Sequence, residues 1–415
     1  VINTHVHADF PAGHLELAAA TGAWIGYGQV AQSLAEYEIR PLRDGERIEL
    51  GDVVLQIMET PGHTPESISV VVFEHASDEV AYGVLTGDAL FIGDVGRPDL
   101  LASIGVTADE LGKQLYDSIQ HKLMGLPDAV RVFPAHGAGS ACGKNLSTET
   151  SSTIGQQRAT NYALAPMSEQ DFVEAVTHGQ SVAPLYFAFA ANRNREWRPL
   201  LGEDISVPVM HLDDVLAAQH DGAVVLDARD DMVFAAGHLR GSVNVGLGGR
   251  FAEYAGEVMN PGTPIVLVTP PGHESGAKVR LARIGFDRVL GALDHPAATL
   301  LEHPEHVERL SRLSALTLDQ RRATIPGLVL VDVRNAGEVA LGTIDGARHM
   351  PLPALLTSLD SLDSGAPTVV FCEGGYRSVI AASLLRAHGF ADVSDLLGGF
   401  SAWRQFHHRE QAAVR

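Results

Sequence analysis

Apolar and polar positions along the 415-residue chain change period several times, and each change marks an element. Unbroken apolar runs at Val53–Met58, Ile68–Phe73, Val80–Leu85 and Val130–Phe133 have the length and β-branched content of buried strands. His14–Ala20 reads as a short helix stopped at Gly22. Leu111, Leu115, Ile119 and Leu123 recur every four residues behind Thr107-Ala108-Asp109-Glu110, which has the form of a capping box; this predicts an amphipathic helix ending at Gly125 and Pro127. Thr153–Leu164 reads as helix up to Pro166, and Ser168 with Asp171 caps a further helix through Val176 that Gly179 ends. Pro184–Ala191 is short and apolar and Asn192–Arg198 polar and basic, a pattern of packing followed by a linker.

Beyond this point the pattern repeats itself. Val224-Val225-Leu226-Asp227-Ala228-Arg229 matches Val329-Leu330-Val331-Asp332-Val333-Arg334, and Gly237-His238-Leu239-Arg240-Gly241 matches Gly342-Thr343-Ile344-Asp345-Gly346. Each copy continues with an apolar strand, a loop and a helix: Ile265–Val268 before Arg280-Leu281, and Val369–Phe371 before Ala381–Arg386. Strands alternating with helices predict a parallel α/β sheet in each copy.

Composition narrows the class. The chain is 45% apolar and 20% charged, an ordinary globular mixture, and at about 150 residues per domain its length predicts three domains. A formal charge of −21 repels phosphate backbones and anionic lipid surfaces, so neither nucleic acid nor a membrane is expected as partner. No apolar run reaches the 18 or so residues that span a bilayer, and no signal peptide opens the chain, so a soluble cytoplasmic protein is expected. Two cysteines, Cys142 and Cys372, are too few for a disulfide framework and fit a reducing compartment. The chain opens on Val1 rather than Met, which is expected of a piece of a longer protein. A homo-oligomer is compatible with everything above.

Candidate chemistry lies where the strands end. Thr4-His5-Val6-His7-Ala8-Asp9-Phe10 packs two imidazoles and a carboxylate into five positions, and alternate spacing on extended backbone turns them to one side. His63 follows the strand Val53–Met58 on a Pro-Gly turn, Asp88 follows Val80–Leu85, and His136 follows Val130–Phe133. Imidazole and carboxylate donors suit zinc, iron or manganese, and a sheet presents its chemistry on the loops at its strand ends.

The ordered motifs THVHADF, TPGHT, TGDALF and FPAHG resemble those of the metallo-β-lactamase fold, over about residues 1–165. The resemblance implies an αββα sandwich with a metal site at one edge, here without the strands that normally precede the first motif. Phe10 stands where the family places the histidine of a second metal position, which favours one metal. Among single-metal members, the persulfide dioxygenases hold Fe(II) on two histidines and one aspartate; carried over by motif, the ligands are His5, His63 and Asp88, with one Fe(II) per chain. His7, Asp9 and His136 then orient ligands or meet substrate. Phe91–Asp99 resembles the family's GRxD stretch, giving a supporting Arg97–Asp99 pair. Cys142, in a GSACGK stretch like that of dioxygenases fused to rhodanese domains, is a candidate carrier of persulfide sulfur, with His136 and Lys144 expected to favour its thiolate.

In the second repeat the loop between strand and helix reads Cys372-Glu373-Gly374-Gly375-Tyr376-Arg377-Ser378. A cysteine at a strand end, followed by glycines that turn amides inward at a helix start, is an anion cradle around a thiolate, with Arg377 to hold an anionic sulfur donor. The first copy has Thr269-Pro270-Pro271-Gly272-His273-Glu274-Ser275 there: no nucleophile, two amides removed, and a negative charge for a positive one. Both copies resemble rhodanese domains, the first degenerate (207–300) and the second active (315–415), with 166–206 as connecting helices and linker.

The combination implies oxidation of a low-molecular-weight thiol persulfide by dioxygen to sulfite and thiol, coupled to sulfur transfer from Cys372 to sulfite forming thiosulfate, as in sulfide detoxification. Glu373, Gly374, Gly375, Tyr376, Ser378 and His136 are the expected substrate-binding positions. Two alternatives stay open: a zinc thioester hydrolase of the glyoxalase II kind, and a non-enzymatic sulfur carrier or scaffold.

Overall fold

The computed structural model describes residues 1–100, 105–144, 146–200 and 205–413, with side chains to residue 408. They fall into two compact units, Val1–Ala183 with Phe187–Leu201, and Pro184–Tyr186 with Gly202–Arg415, so the two repeats share one unit. No described helix is long and apolar enough to cross a membrane.

In the first unit six strands form one sheet in chain order, Arg47–Leu50, Val53–Glu59, Ile68–Phe73, Gly83–Gly87, Arg131–Pro134 and Ser152–Thr153. All neighbours are antiparallel except Gly83–Gly87 with Arg131–Pro134. That parallel pair brings Asp88 and His136, each just past a strand end, to the same edge. The strand expected over Val80–Leu85 runs instead over Gly83–Gly87, with Val80 and Tyr82 exposed ahead of it. Among the described residues the other sheet is a parallel pair, Gly26–Gly28 with Arg40–Leu42, which Ile2 joins by a bridge to Gly26.

The helix Ala108–Asp117 starts with the expected capping box: Glu110 N–H donates to Thr107 Oγ1 and Thr107 N–H to the Glu110 carboxylate. Leu111, Leu115, Ile119 and Leu123 are fully buried against Phe172, Val173 and Val176 of the helix Glu169–Thr177. Four such side chains supply roughly 6–12 kcal/mol of burial free energy, which fixes this helix pair on the sheet.

The second unit contains two five-stranded, all-parallel sheets of identical order. One runs Val243–Asn244, Val224–Asp227, Ile265–Val268, Val289–Leu293, Val209–Met210; the other runs Arg348–His349, Val329–Asp332, Thr368–Phe371, Val393–Leu396, Ser311–Leu313. The repeat in the sequence is thus a repeat of topology. The copies are joined by buried polar contacts: Asn244 N–H donates to Ser383 Oγ (2.9 Å), and Arg312 pairs with Asp231 of the first copy and Asp395 of its own.

Candidate metal centre and cysteine loop

His5, His63 and Asp88 converge, with one ligand-type atom of each within 4.8 Å of the others and all three buried. Facing Asp88 Oδ2 are His136 Nε2 at 3.3 Å, His63 Nε2 at 3.4 Å and His5 Nε2 at 3.8 Å. His63 Nδ1 donates to the carbonyl of Arg97 (2.9 Å); a carbonyl only accepts, so the lone pair is left on Nε2, toward Asp88. His5 Nε2 and both Asp88 oxygens are buried without a hydrogen-bond partner. Buried polar groups are satisfied almost without exception, and a cation between these atoms meets that need. The donor set therefore fits a metal ion.

Electrostatics agree. Burial lowers His5 well below the usual imidazole range, with His7 adding to the effect, and burial brings His7 down to about 4. Both are neutral at physiological pH and keep their lone pairs. Burial alone would raise Asp88, but the imidazoles of His5, His63 and His136 outweigh it and hold the carboxylate ionised far below its ordinary range.

The surrounding residues take definite places. Arg97 grips Asp99 with Nε and Nη2 (2.6 and 2.7 Å) and donates to the Ala141 carbonyl, while its own N–H meets the Cys142 carbonyl; the segment holding His63 is thereby tied to the loop holding Cys142. Gly96 permits this: a Cβ there would lie 1.9 Å from the Asp88 carbonyl oxygen. Asp9, His136 and Cys142 form a second group within 4.8 Å. The Phe10 ring stacks on His7, with centroids 4.4 Å apart and planes at 26°.

Two expectations at this end are corrected. Cys142 is not set up as a thiolate: burial first, then the Asp88 and Asp9 carboxylates, raise it well above the usual thiol range. Lys144 gives it no help, because its ammonium is taken by the carbonyls of Ala175 and His178. Nor is Asn192–Arg198 a linker. Asn194 is buried; its Oδ1 accepts from Ala12 N–H (2.6 Å) and its Nδ2 donates to the carbonyls of His7 (2.8 Å) and Phe10 (2.7 Å). Arg198 grips the Glu16 carboxylate, and Glu66 accepts from Val6 N–H. These residues clamp the opening motif, and no local pattern announces them.

In the second unit Cys372 is buried at the end of Thr368–Phe371, directly before the helix Tyr376–Ala387. Gly375, at φ 110°, points its N–H at Sγ (3.1 Å), and Ser378 Oγ lies 3.7 Å from Sγ. The N–H groups of Phe400 and Ser401 take the carbonyls of Cys372 and Glu373, pulling those oxygens away from the cradle. The Gly375 amide facing Sγ, with the Cys372 and Glu373 carbonyls turned away, favours an anion here.

Three of the expected substrate contacts are otherwise engaged. The Glu373 carboxylate is held by Arg334, Ser401 and Arg404, so the residue offers the cradle only its backbone. Arg377 forks onto Glu338 (2.7 Å twice), which offsets much of its charge. Tyr376 places its hydroxyl on the carbonyls of Gly246 (2.7 Å) and Gly248 (3.2 Å), in the first copy. The first copy's helix Phe251–Val258 brings Tyr254 against Tyr376, ring centroids 5.4 Å apart, and buries Glu257, which burial raises to about 7 against the lowering effect of Arg250 and Arg377. In the first copy's own loop, Thr269 stands where Cys372 does, and Glu274 turns back onto Gly272 N–H.

A buried His-His-Asp cluster at a sheet edge, and a cysteine cradled at a helix start in a repeated parallel α/β fold, define a metal-site domain of the metallo-β-lactamase type carrying rhodanese modules. The rhodanese-like domain family matches residues 211–294 and 314–406. Thiosulfate sulfurtransferase GlpE of Pseudomonas putida is 40% identical over 86 residues, 21% of this chain and 78% of that protein. A metallo-β-lactamase structure from Staphylococcus aureus subsp. aureus COL is 30% identical, covering 70% of this chain and 83% of that one, with a TM-score of 0.63. The mitochondrial persulfide dioxygenase ETHE1 of Bos taurus is 28% identical over 194 residues, 46% of this chain; the chain spans 66% of that relative, just under two thirds. The chain belongs to the metallo-β-lactamase-fold family in its first unit and to the rhodanese-like family in its two repeats, and its first unit is similar to persulfide dioxygenases.

Proposed function

We propose that the chain oxidises a low-molecular-weight thiol persulfide with dioxygen and passes sulfane sulfur to the sulfite formed, in sulfide detoxification. The observation that carries this reading is the convergence of two buried imidazoles and one ionised carboxylate, with His5 Nε2 and both Asp88 oxygens unsatisfied. Three protein donors that leave coordination positions open suit non-haem iron. Bound there by His5, His63 and Asp88, one Fe(II) supplies the redox chemistry by which persulfide and dioxygen react. The balance is persulfide, dioxygen and water to thiol, sulfite and two protons. His63 is oriented by the Arg97 carbonyl, and Phe10 against His7 keeps the neighbouring position apolar. His136, 3.3 Å from Asp88, lies where it can meet substrate. Cys142 is buried beside Asp9 and His136, where burial favours its thiol form.

At the other site Cys372 Sγ attacks the outer sulfur of a second thiol persulfide, that S–S bond breaks and the carrier thiol leaves, so that the outer sulfur of the resulting Cys372 persulfide lies at the loop whose Gly375 N–H faces Sγ. Sulfite attacks that sulfur, the S–S bond breaks, and the electron pair stays on Cys372 Sγ, which Gly375 N–H is aimed at. Thiosulfate leaves. One observation favours a second reading: the Asp9, His136 and Cys142 group could take another cation, as a zinc thioester hydrolase would require. Metal analysis with oxygen uptake decides. The proposal expects one iron per chain and oxygen consumption on adding a thiol persulfide, with Cys372→Ser keeping oxygen uptake and losing thiosulfate. Two zinc ions with thioesterase activity, or no oxygen uptake by iron-loaded protein, would overturn it.

A further inference from the structure

Behind the cysteine loop lies a buried ion pair that the sulfur transfer above leaves unused. Arg312, on the strand Ser311–Leu313, stands in register with Asp395 on Val393–Leu396 and forks onto its carboxylate through Nε (2.9 Å) and Nη2 (3.0 Å). Its third nitrogen, Nη1, is held from the first copy by Asp231 Oδ2 (2.9 Å) and Met232 Sδ (2.9 Å). The guanidinium is thus fixed on all three nitrogens. Nη2 also lies behind the residue whose amide faces the sulfur, since a Cβ on Gly375 would come to 3.9 Å from it. Asp395 is fully buried near Ser378; burial raises it above the usual carboxylate range, opposed first by Arg312 and then by the Ser378 hydroxyl.

Ser378 is the link to the sulfur. It is fully buried, and its Oγ lies 3.7 Å from Cys372 Sγ and donates to the Gly375 carbonyl (2.9 Å). A hydroxyl has one proton to give. Once Cys372 is ionised, three acceptors surround this one: the Gly375 carbonyl, the Asp395 carboxylate and Sγ. A carboxylate whose oxygens are filled by an arginine fork competes weakly for that proton, whereas a bare buried carboxylate competes strongly. The other arginines at the loop cannot replace Arg312, because Arg377 is engaged by Glu338, and Arg334 by Asp332 and Glu373. We infer that Arg312 is a positioning residue for sulfur transfer: by filling both oxygens of Asp395 it leaves the Ser378 hydroxyl free to donate to Cys372 Sγ, where the electron pair of the broken S–S bond comes to rest. This rests on the sulfurtransferase reading of Cys372 and deepens it.

The test uses the full chain with thiosulfate as sulfur donor and cyanide as acceptor, at pH 8, which favours the ionised form of a carboxylate that has lost its cation. Cys372 Sγ takes the outer sulfur of thiosulfate and sulfite leaves; cyanide then takes that sulfur from the persulfide and leaves as thiocyanate, returning the electron pair to Sγ. Arg312→Met should lower kcat/KM for thiosulfate by roughly 10- to 100-fold, the range for losing one hydrogen bond to a charged group. Arg312→Lys, a point charge without a fork, should recover part of the loss. Arg312→Met combined with Asp395→Asn removes the competing charge and should recover most of it. A merely structural role gives no such recovery, and removing both partners of a buried pair is also gentler on the fold than removing one. In a Ser378→Ala background Arg312→Met should add no more than about a twofold loss, because the effect runs through that hydroxyl. An unchanged kcat/KM in Arg312→Met, a double variant no better than the single one, or a full further loss on top of Ser378→Ala would overturn the inference. If the wild-type chain transfers no sulfur, the sulfurtransferase reading fails, while the rate of Cys372 alkylation by iodoacetamide, followed by peptide mass in the same variants, still decides Arg312.

Discussion

Replacing Asn194 by Ala should loosen the motif that carries His5, although Asn194 is neither a metal ligand nor near one in sequence. Its side chain makes three hydrogen bonds at 2.6–2.8 Å to the backbone of Ala12, His7 and Phe10, and it is 1% exposed. Three net hydrogen bonds are worth about 3 kcal/mol, and stranding the buried Ala12 N–H adds roughly 1–2 kcal/mol, so a total of about 4–5 kcal/mol is expected. Loss of outer support typically weakens metal binding by about 10- to 100-fold, and the same is expected here. Asn194→Asp is the sharper variant. It keeps the acceptor for Ala12 but faces two carbonyl oxygens with a carboxylate, so it should be nearly as damaging although its shape is the same. The assay is urea unfolding followed through Trp24 and Trp197, both in this unit, with metal retained after dialysis against a weak chelator measured alongside. A change within about 0.5 kcal/mol and unchanged metal retention in both variants would show that the clamp does not hold the motif.

Two further outcomes follow from particular side chains. Glu257 has a folded-state value of about 7 against an ordinary 4.5, so between those pH values the folded protein holds a proton that the unfolded chain has released, and stability falls as pH rises; at about 1.4 kcal/mol per pH unit the loss is about 3 kcal/mol. Glu257→Gln should remove that decline, read as unfolding midpoints at pH 5 and pH 8, and an unchanged pH dependence would refute the assignment. Phe10→His replaces the ring stacked on His7 with an imidazole, and should raise the metal bound per chain above that of the wild type when either protein is saturated; an unchanged stoichiometry would mean that Phe10 does not decide the count.

What was legible in the sequence was local. The capping box at Thr107, the strand Ile68–Phe73 and the αL stop at Gly22 are set by neighbours a few residues away, and the structure reproduces each. The repeat was legible because it copies whole strands, and the two sheets share one strand order. Several of the differences lie in pairing across long separations. Asn194 meets partners 182 to 187 residues away, so Asn192–Arg198 showed only its polarity and passed for a linker. Arg377 looked available to an anion because Glu338 lies 39 residues earlier, and Lys144 looked like a partner for Cys142 because its two carbonyl acceptors lie beyond residue 170.

The first repeat shows how a site can be lost while its fold is kept. Each copy holds a buried Asp–Arg pair at the end of one strand, Asp227–Arg229 closing Val224–Asp227 and Asp332–Arg334 closing Val329–Asp332, and in each the arginine also donates to the carbonyl of the residue eight positions on, Gly237 or Gly342. These contacts brace strand and loop in both copies, and in the second Arg334 also reaches the strand-to-helix turn through Glu373 (2.9 Å). In the first copy the brace is kept while Thr269, Pro270, Pro271 and Glu274 remove nucleophile, amides and positive charge from the turn together. What that copy keeps is surface. Its Gly246 and Gly248 carbonyls seat Tyr376, and its helix Phe251–Val258 sets Tyr254 and Glu257 beside the cysteine loop of the second. The degenerate copy is accordingly one wall of the Cys372 site, so removing it should strip Tyr376 of both hydrogen bonds and leave the cradle open on that side.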